Sequence, residues 1–167
     1  MGRMHRLGIA VGLCSTVFIG GSTLSFYEDS QPTTMNPLFA RTMVDRRTHE
    51  LVFDRIFYRS AITSELKSRI VDSYELLEDG SKMKLFLRDD IKWHDGTEFT
   101  GDDICFTISA MLNPDTPSPN AKPFREVLTG CEYIKKEKAS IVSFSRTFHN
   151  PRERLSFAVL PRHKFES

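Results

Sequence analysis

Leu85-Phe86-Leu87-Arg88-Asp89-Asp90-Ile91-Lys92-Trp93-His94-Asp95-Gly96-Thr97-Glu98-Phe99-Thr100-Gly101-Asp102-Asp103-Ile104-Cys105-Phe106 decides how the rest of the chain is read. It opens as a strand with Leu85 and Leu87 on one face. Asp95-Gly96 is a turn signal, because Gly accepts positive φ cheaply and Asp bonds its own backbone. Thr100 predicts a helix N-cap, with Asp103 three residues on in the capping-box position usually held by Glu or Gln. Asp102 and Asp103 then sit at the positive end of the helix dipole. Ile104, Ile108, Met111 and Leu112 continue at helical spacing.

Upstream, Ile70–Glu78 and Lys82–Arg88 flank Asp79-Gly80, a hairpin signal. Met83, Leu85 and Leu87 alternate with Lys82, Lys84 and Arg88, so one face is buried and the other wet. Asp45–Tyr58 reads as a helix with Leu51, Val52, Ile56 and Phe57 as its apolar stripe, and Asp45 or Thr48 as its cap. Ser22–Tyr27 reads as a short strand carrying Leu24 and Phe26. Downstream, Pro114, Pro117, Pro119 and Pro123 end the helix and predict an extended surface loop. Phe124–Leu128 reads as a helical turn. Cys131–Lys135 and Ala139–Ser145 read as a second hairpin with Val142 and Phe144 on one face. Pro151–Leu160 reads as a final helix.

The chain of 167 residues is 40% hydrophobic and 27% charged with net charge +1, a globular composition with no basic footprint for nucleic acid. Arg3 and Arg6 precede the uncharged run Leu7–Gly21, which reads as an export signal or N-terminal anchor over 1–21 and is short for a membrane span. Export would leave Cys105 and Cys131 in an oxidising compartment. A bridge between them and two buried free thiols both fit, and the thiols are the preferred reading.

The five acids Asp89, Asp90, Asp95, Asp102 and Asp103 have no nucleophile beside them, and turn and cap roles account for Asp95, Asp102 and Asp103, so no catalytic residue is assigned. His49, His94, His149 and His163 are far apart in sequence. With no His-x-x-x-His or Cys-x-x-Cys spacing, no metal site and no cofactor are expected. Trp93 reads either as a ligand-stacking aromatic or as packing for the strand-turn-helix corner.

The stretch resembles the signature region of the family 5 extracellular solute-binding proteins, the binding proteins of peptide, nickel and related ABC importers. The resemblance rests on Leu87-Arg88, Lys92-Trp93-His94-Asp95-Gly96, Phe99-Thr100 and Asp102-Asp103-Ile104-Cys105-Phe106. Gly20-Gly21-Ser22-Thr23-Leu24, Met35-Asn36-Pro37 and Leu160-Pro161-Arg162-His163 extend it. It implies an α+β fold, a small antiparallel sheet packed with helices, forming part of a periplasmic-binding-protein type 2 lobe. Residues 22–45 would be the first segment of the ligand-binding lobe. Residues 46–167 would be the inserted small subdomain, truncated.

The implied function is binding of an oligopeptide or similar small solute in the periplasm and delivery to ABC permease and ATPase subunits, with no enzymatic step. Trp93, His94, Asp95, Gly96, Phe99, Thr100, Asp102 and Asp103 are expected to be structural, since the signature is common to members with different ligands. Tyr27, Arg41 and Thr42 are the residues expected nearest the cleft. Family members are about three times as long, so a second lobe is expected to be missing or supplied by a separate chain, and the chain alone is expected not to bind. A non-functional truncated product, which the end Lys164-Phe165-Glu166-Ser167 would suit, and a small secreted interaction module are the alternatives.

Overall fold

The computed structural model describes residues 28 and 30–166. The signal at 1–21, the strand at Ser22–Tyr27 and Tyr27 itself lie outside the described residues.

The centre is a four-stranded antiparallel sheet of β3 (Val71–Leu77), β4 (Lys82–Leu87), β5 (Leu128–Ile134) and β6 (Ala139–Phe144), in the order β3-β4-β6-β5. The two hairpins expected from the sequence are both present. In the first, Glu78, Asp79 and Gly80 all take positive φ (47°, 55° and 86°), which turns the chain tightly between Leu77 and Lys82. Pairing of Leu85 with Ser140 and of Met83 with Val142 aligns one face. Met83, Leu85 and Val142 on that face are fully buried.

Helix α2 (Gly101–Leu112) covers this face, burying Ile104, Ile108 and Met111. Its Gly101 is required by close approach, since a Cβ there would collide with the Tyr133 ring and the Ser140 hydroxyl. Cys105 of α2 is joined to Cys131 of β5 by a disulfide with Cα atoms 5.0 Å apart. The preferred reading of two free thiols is therefore corrected. The fold places the α2 flank directly over the β5 side of the sheet, a proximity that sequence spacing does not reveal.

Helix α1 is Met43–Val52, not 45–58, and its N-cap is Thr42 rather than Asp45 or Thr48. The helix stops because residues 54–57 are used elsewhere. Ile56 N–H donates to Phe157 O (3.3 Å), Phe57 N–H to Leu155 O (3.1 Å), and Val159 N–H to Asp54 O (3.1 Å). The same pairing ends the expected helix over 151–160. Only Pro151–Leu155 is helical, as a 3-10 turn, and 156–160 runs extended beside 54–57. Leu51, placed on the buried stripe by the periodicity, is 70% exposed.

Short strands β1 (Tyr58–Arg59) and β2 (Leu66–Lys67) pair with each other. The proline-rich segment is packed rather than free. Ser118 donates to Leu38 O, and Asn120 donates to Pro37 O (3.3 Å) and Ala40 O (3.0 Å). Helix α3 (Lys122–Arg125) follows, and Arg125 binds the carbonyls of Met111, Asn113 and Thr116 at the end of α2. The last element is α4 (Arg162–Phe165). Mixed helix and antiparallel sheet make this an α+β fold.

Candidate functional site

Two constructions concentrate the polar side chains. The first is the loop leading into α1. Asp45, at the third position of the helix, is fully buried. Its carboxylate accepts from the N–H groups of Thr42 (2.9 Å), Arg41 (3.0 Å) and Thr33 (2.6 Å), and from the Thr33 hydroxyl (3.0 Å). These donors, led by Thr42 and then Arg41, hold it far below the ordinary carboxylate range. Thr42 Oγ1 accepts from Asp45 N–H (3.0 Å), closing a capping box.

Of the residues expected nearest the cleft, Thr42 is thus occupied as a helix cap. Arg41 is exposed on the pinned loop. Its guanidinium has no carboxylate partner among the described residues, and its backbone is fixed by Asp45. His49 is buried and bonds Thr34 O through Nε2 (2.8 Å), which satisfies it within the same loop. The spacing Thr42-x-x-Asp45 was a legible signal for this box, but it competes with caps nearer the apolar stripe.

The second construction is the Trp93–Asp103 corner. Trp93 N–H donates to Thr97 O (2.8 Å) and Gly96 N–H to Trp93 O (2.9 Å), with Gly96 at φ +86°. Phe99 is buried, its ring 5.5 Å from Trp93. Asp103 accepts from Thr100 N–H (2.9 Å) and, across 59 residues, from Arg162 N–H (2.8 Å). Arg162 also pairs with Asp102 (2.9 Å) and Glu166 (2.7 Å). Asp95 meets His163 Nε2 at 2.7 Å and Lys164 Nζ at 3.1 Å. His163 first, then Thr97, holds the Asp95 carboxyl far below its usual range. His94 is exposed and lies on the rim. The corner and the Leu160–His163 element therefore form one clasp, stitched by charge-assisted bonds.

Two open grooves adjoin α1. One, of about 570 Å3, carries Arg55, Arg59 and Arg69. Each is paired with a carboxylate: Glu50 (3.0 Å), Glu153 (2.8 Å) and Asp54 (2.8 Å). The other, of about 380 Å3, runs between Ala40, the neighbour of Arg41, and the Phe124 and Phe157 side chains. Among the described residues no group of three or more His, Cys, Asp or Glu is placed to hold a metal ion. None of their helices is long and apolar enough to cross a membrane.

The family model described as bacterial extracellular solute-binding proteins, family 5 Middle, matches residues 65–160. The dipeptide-binding protein of Escherichia coli (strain K12) is 25% identical over 122 residues, 68% of this chain and 23% of the relative. The di/tripeptide-binding protein 1 of Pseudomonas aeruginosa is 28% identical over 109 residues, 61% of this chain and 20% of the relative. Among solved structures, NikZ from Campylobacter jejuni, determined with Ni(L-His), superposes with TM-score 0.69 at 27% identity, covering 83% of this chain and 27% of NikZ. The oligopeptide-binding protein AppA of Bacillus subtilis shares the fold with TM-score 0.70 at 22% identity, covering 82% and 27%. The chain spans about a quarter of the length of these proteins.

Proposed function

The chain belongs to the bacterial extracellular solute-binding proteins of family 5, and from that membership we propose that it supplies one part of a solute-capturing fold serving an ABC importer. The solute is an oligopeptide or a molecule of similar size, captured outside the cytoplasmic membrane and delivered to an ABC permease and its ATPase subunits. Residues 22–45 contribute to the ligand-binding lobe, and 46–167 form the small subdomain inserted after it. Residues 1–21 direct export, as signal or anchor. The Cys105–Cys131 disulfide supports an oxidising compartment.

The observation that carries the reading is the loop at Arg41. Asp45 pins its backbone from three sides while the guanidinium stays exposed and without a carboxylate partner among the described residues. A guanidinium so placed is suited to bind a peptide carboxylate bidentately. A hinged trap buries its ligand between two lobes. On this chain alone Arg41 meets solvent, where an ion pair is worth about 0–1 kcal/mol.

The chain by itself therefore binds no peptide tighter than about millimolar, the affinity that corresponds to about 4 kcal/mol. Calorimetry against a mixed tripeptide-to-pentapeptide library tests this. A micromolar signal abolished by Arg41→Ala would show a self-sufficient site and overturn the shared-lobe reading.

A further inference from the structure

After β6 the chain enters the 3-10 turn Pro151–Leu155 through a segment whose backbone is held at both ends. Ser145 N–H donates to Val127 O (2.8 Å), and Leu155 O accepts from Phe57 N–H (3.1 Å). Pro151 and Leu155 are buried. The side chains between these anchors set cations on aromatic rings. Arg146 and Arg154, both exposed, stand over the half-buried Phe148 ring, each guanidinium carbon 5.2 Å from its centroid. Arg152 stands over the Tyr74 ring of β3, also at 5.2 Å. With His149, Arg152 lines a groove of about 240 Å3 beside Leu76 and Met83.

None of these three guanidiniums has a carboxylate partner among the described residues. The acid within the turn, Glu153, is taken by Arg59 (2.8 Å). The groove beside α1 differs, since Arg55, Arg59 and Arg69 there each meet a carboxylate. Stacking on a ring face steadies a guanidinium and leaves its fork of N–H donors free. Two like charges against one ring also repel each other, and an anion between them removes that repulsion. A carboxylate is matched to a single fork. A phosphate group carries about two charges and three acceptor oxygens, so it can take donors from both arginines at once.

We propose that Arg146 and Arg154, steadied on Phe148, form a binding site for a phosphate group, free or in a lipid headgroup, with Arg152 as the adjoining cation. The site goes beyond the proposed capture of solute and involves neither Arg41 nor its loop.

The test is a titration of the full chain with inorganic phosphate at low ionic strength, where screening is least, followed by NMR of the arginine side-chain N–H groups. The expected result is a saturable shift of the Arg146 and Arg154 signals. Arg146→Gln with Arg154→Gln should weaken phosphate binding at least tenfold without changing the melting of the chain, since both side chains are exposed. Arg146→Lys with Arg154→Lys keeps the charge but loses the forks, and should weaken it too. Arg47→Gln, on exposed α1, should leave it unchanged. No saturable shift, binding that survives the paired glutamines, or full binding with the paired lysines overturns the proposal. So does equal binding of acetate or of a glutamate-rich peptide, which would assign the arginines to carboxylates. Sedimentation with phosphatidylglycerol vesicles, absent with phosphatidylcholine and competed by inorganic phosphate, would assign the site to a lipid headgroup. Phosphate binding without such sedimentation would assign it to a soluble phosphate.

Discussion

The chain uses the same helix-start device twice, at Thr42-x-x-Asp45 and at Thr100-x-x-Asp103, and puts it to different ends. Both aspartates are buried and both receive the N-cap backbone N–H. Asp45 spends its remaining capacity locally, on Thr33 twelve residues away and on Arg41, and so shapes the loop that presents Arg41. Asp103 reaches 59 residues along the chain to Arg162 and closes the clasp. The α2 box also stands beside a covalent staple, while α1 has none among the described residues. A carboxylate at the third helical position is a local motif, but its spare lone pairs are a tertiary resource.

The largest expected effect is that of Asp45→Ala, which strands four donor groups around one buried position. Its denaturant midpoint should fall further than that of Asp103→Ala, which strands two donors at a cost of about 3 kcal/mol. Equilibrium urea unfolding of both variants ranks them. The reverse order would mean that long-range closure matters more than the number of bonds.

Reduction of Cys105–Cys131 should come next and make α2 more like α1. The cysteines are 26 residues apart, so loss of the cross-link costs about 3.5 kcal/mol on the chain-entropy account. Melting with and without dithiothreitol measures it, and an unchanged midpoint would show that packing alone holds α2 to β5.

Acid should weaken the first box. Asp45 has a folded-state pKa depressed below its unfolded value near 3.9. Its contribution is present above about pH 4 and is lost as pH falls below that toward the folded pKa. Asp95 in the clasp follows the same sign. Asp45→Asn should therefore flatten the stability profile below pH 4. A profile as steep as that of the parent would assign acid sensitivity to the clasp.

The smallest effect concerns the corner itself. Gly96 has φ +86° and open space where a Cβ would stand, so Gly96→Ala costs only the backbone strain, about 1 kcal/mol. A loss of several kcal/mol would mean that the turn positions the Asp95 contacts with His163 and Lys164.

Much of the sheet was legible in the residues. Asp79-Gly80 announced a hairpin, Met83 and Leu85 their buried face, and Thr100 with Asp103 the start of α2, because each depends on neighbours within a few residues. The expectation at Tyr27 falls outside the described residues. For the loop, the sequence pointed at Arg41 and Thr42 without distinguishing the exposed guanidinium from the capping hydroxyl. That distinction depends on Asp45, whose bond to Thr33 no local pattern reveals. Trp93 was legible as a corner residue. The burial of its unpartnered Nε1 was not, since that depends on how elements distant in sequence pack around the ring.

The sequence alone determined the alternation that makes two hairpins and the turn at Gly96, which are written in spacings of two to four residues, and the motifs whose family resemblance implied the α+β class. Tertiary structure decided where α1 and the 151–155 turn stop, because residues 54–57 and 155–159 exchange backbone hydrogen bonds about a hundred positions apart. It also decided that Cys105 meets Cys131 and that Asp103 meets Arg162. At the helix ends the local preference is worth a kcal/mol or less per residue, and satisfying buried backbone groups outweighs it.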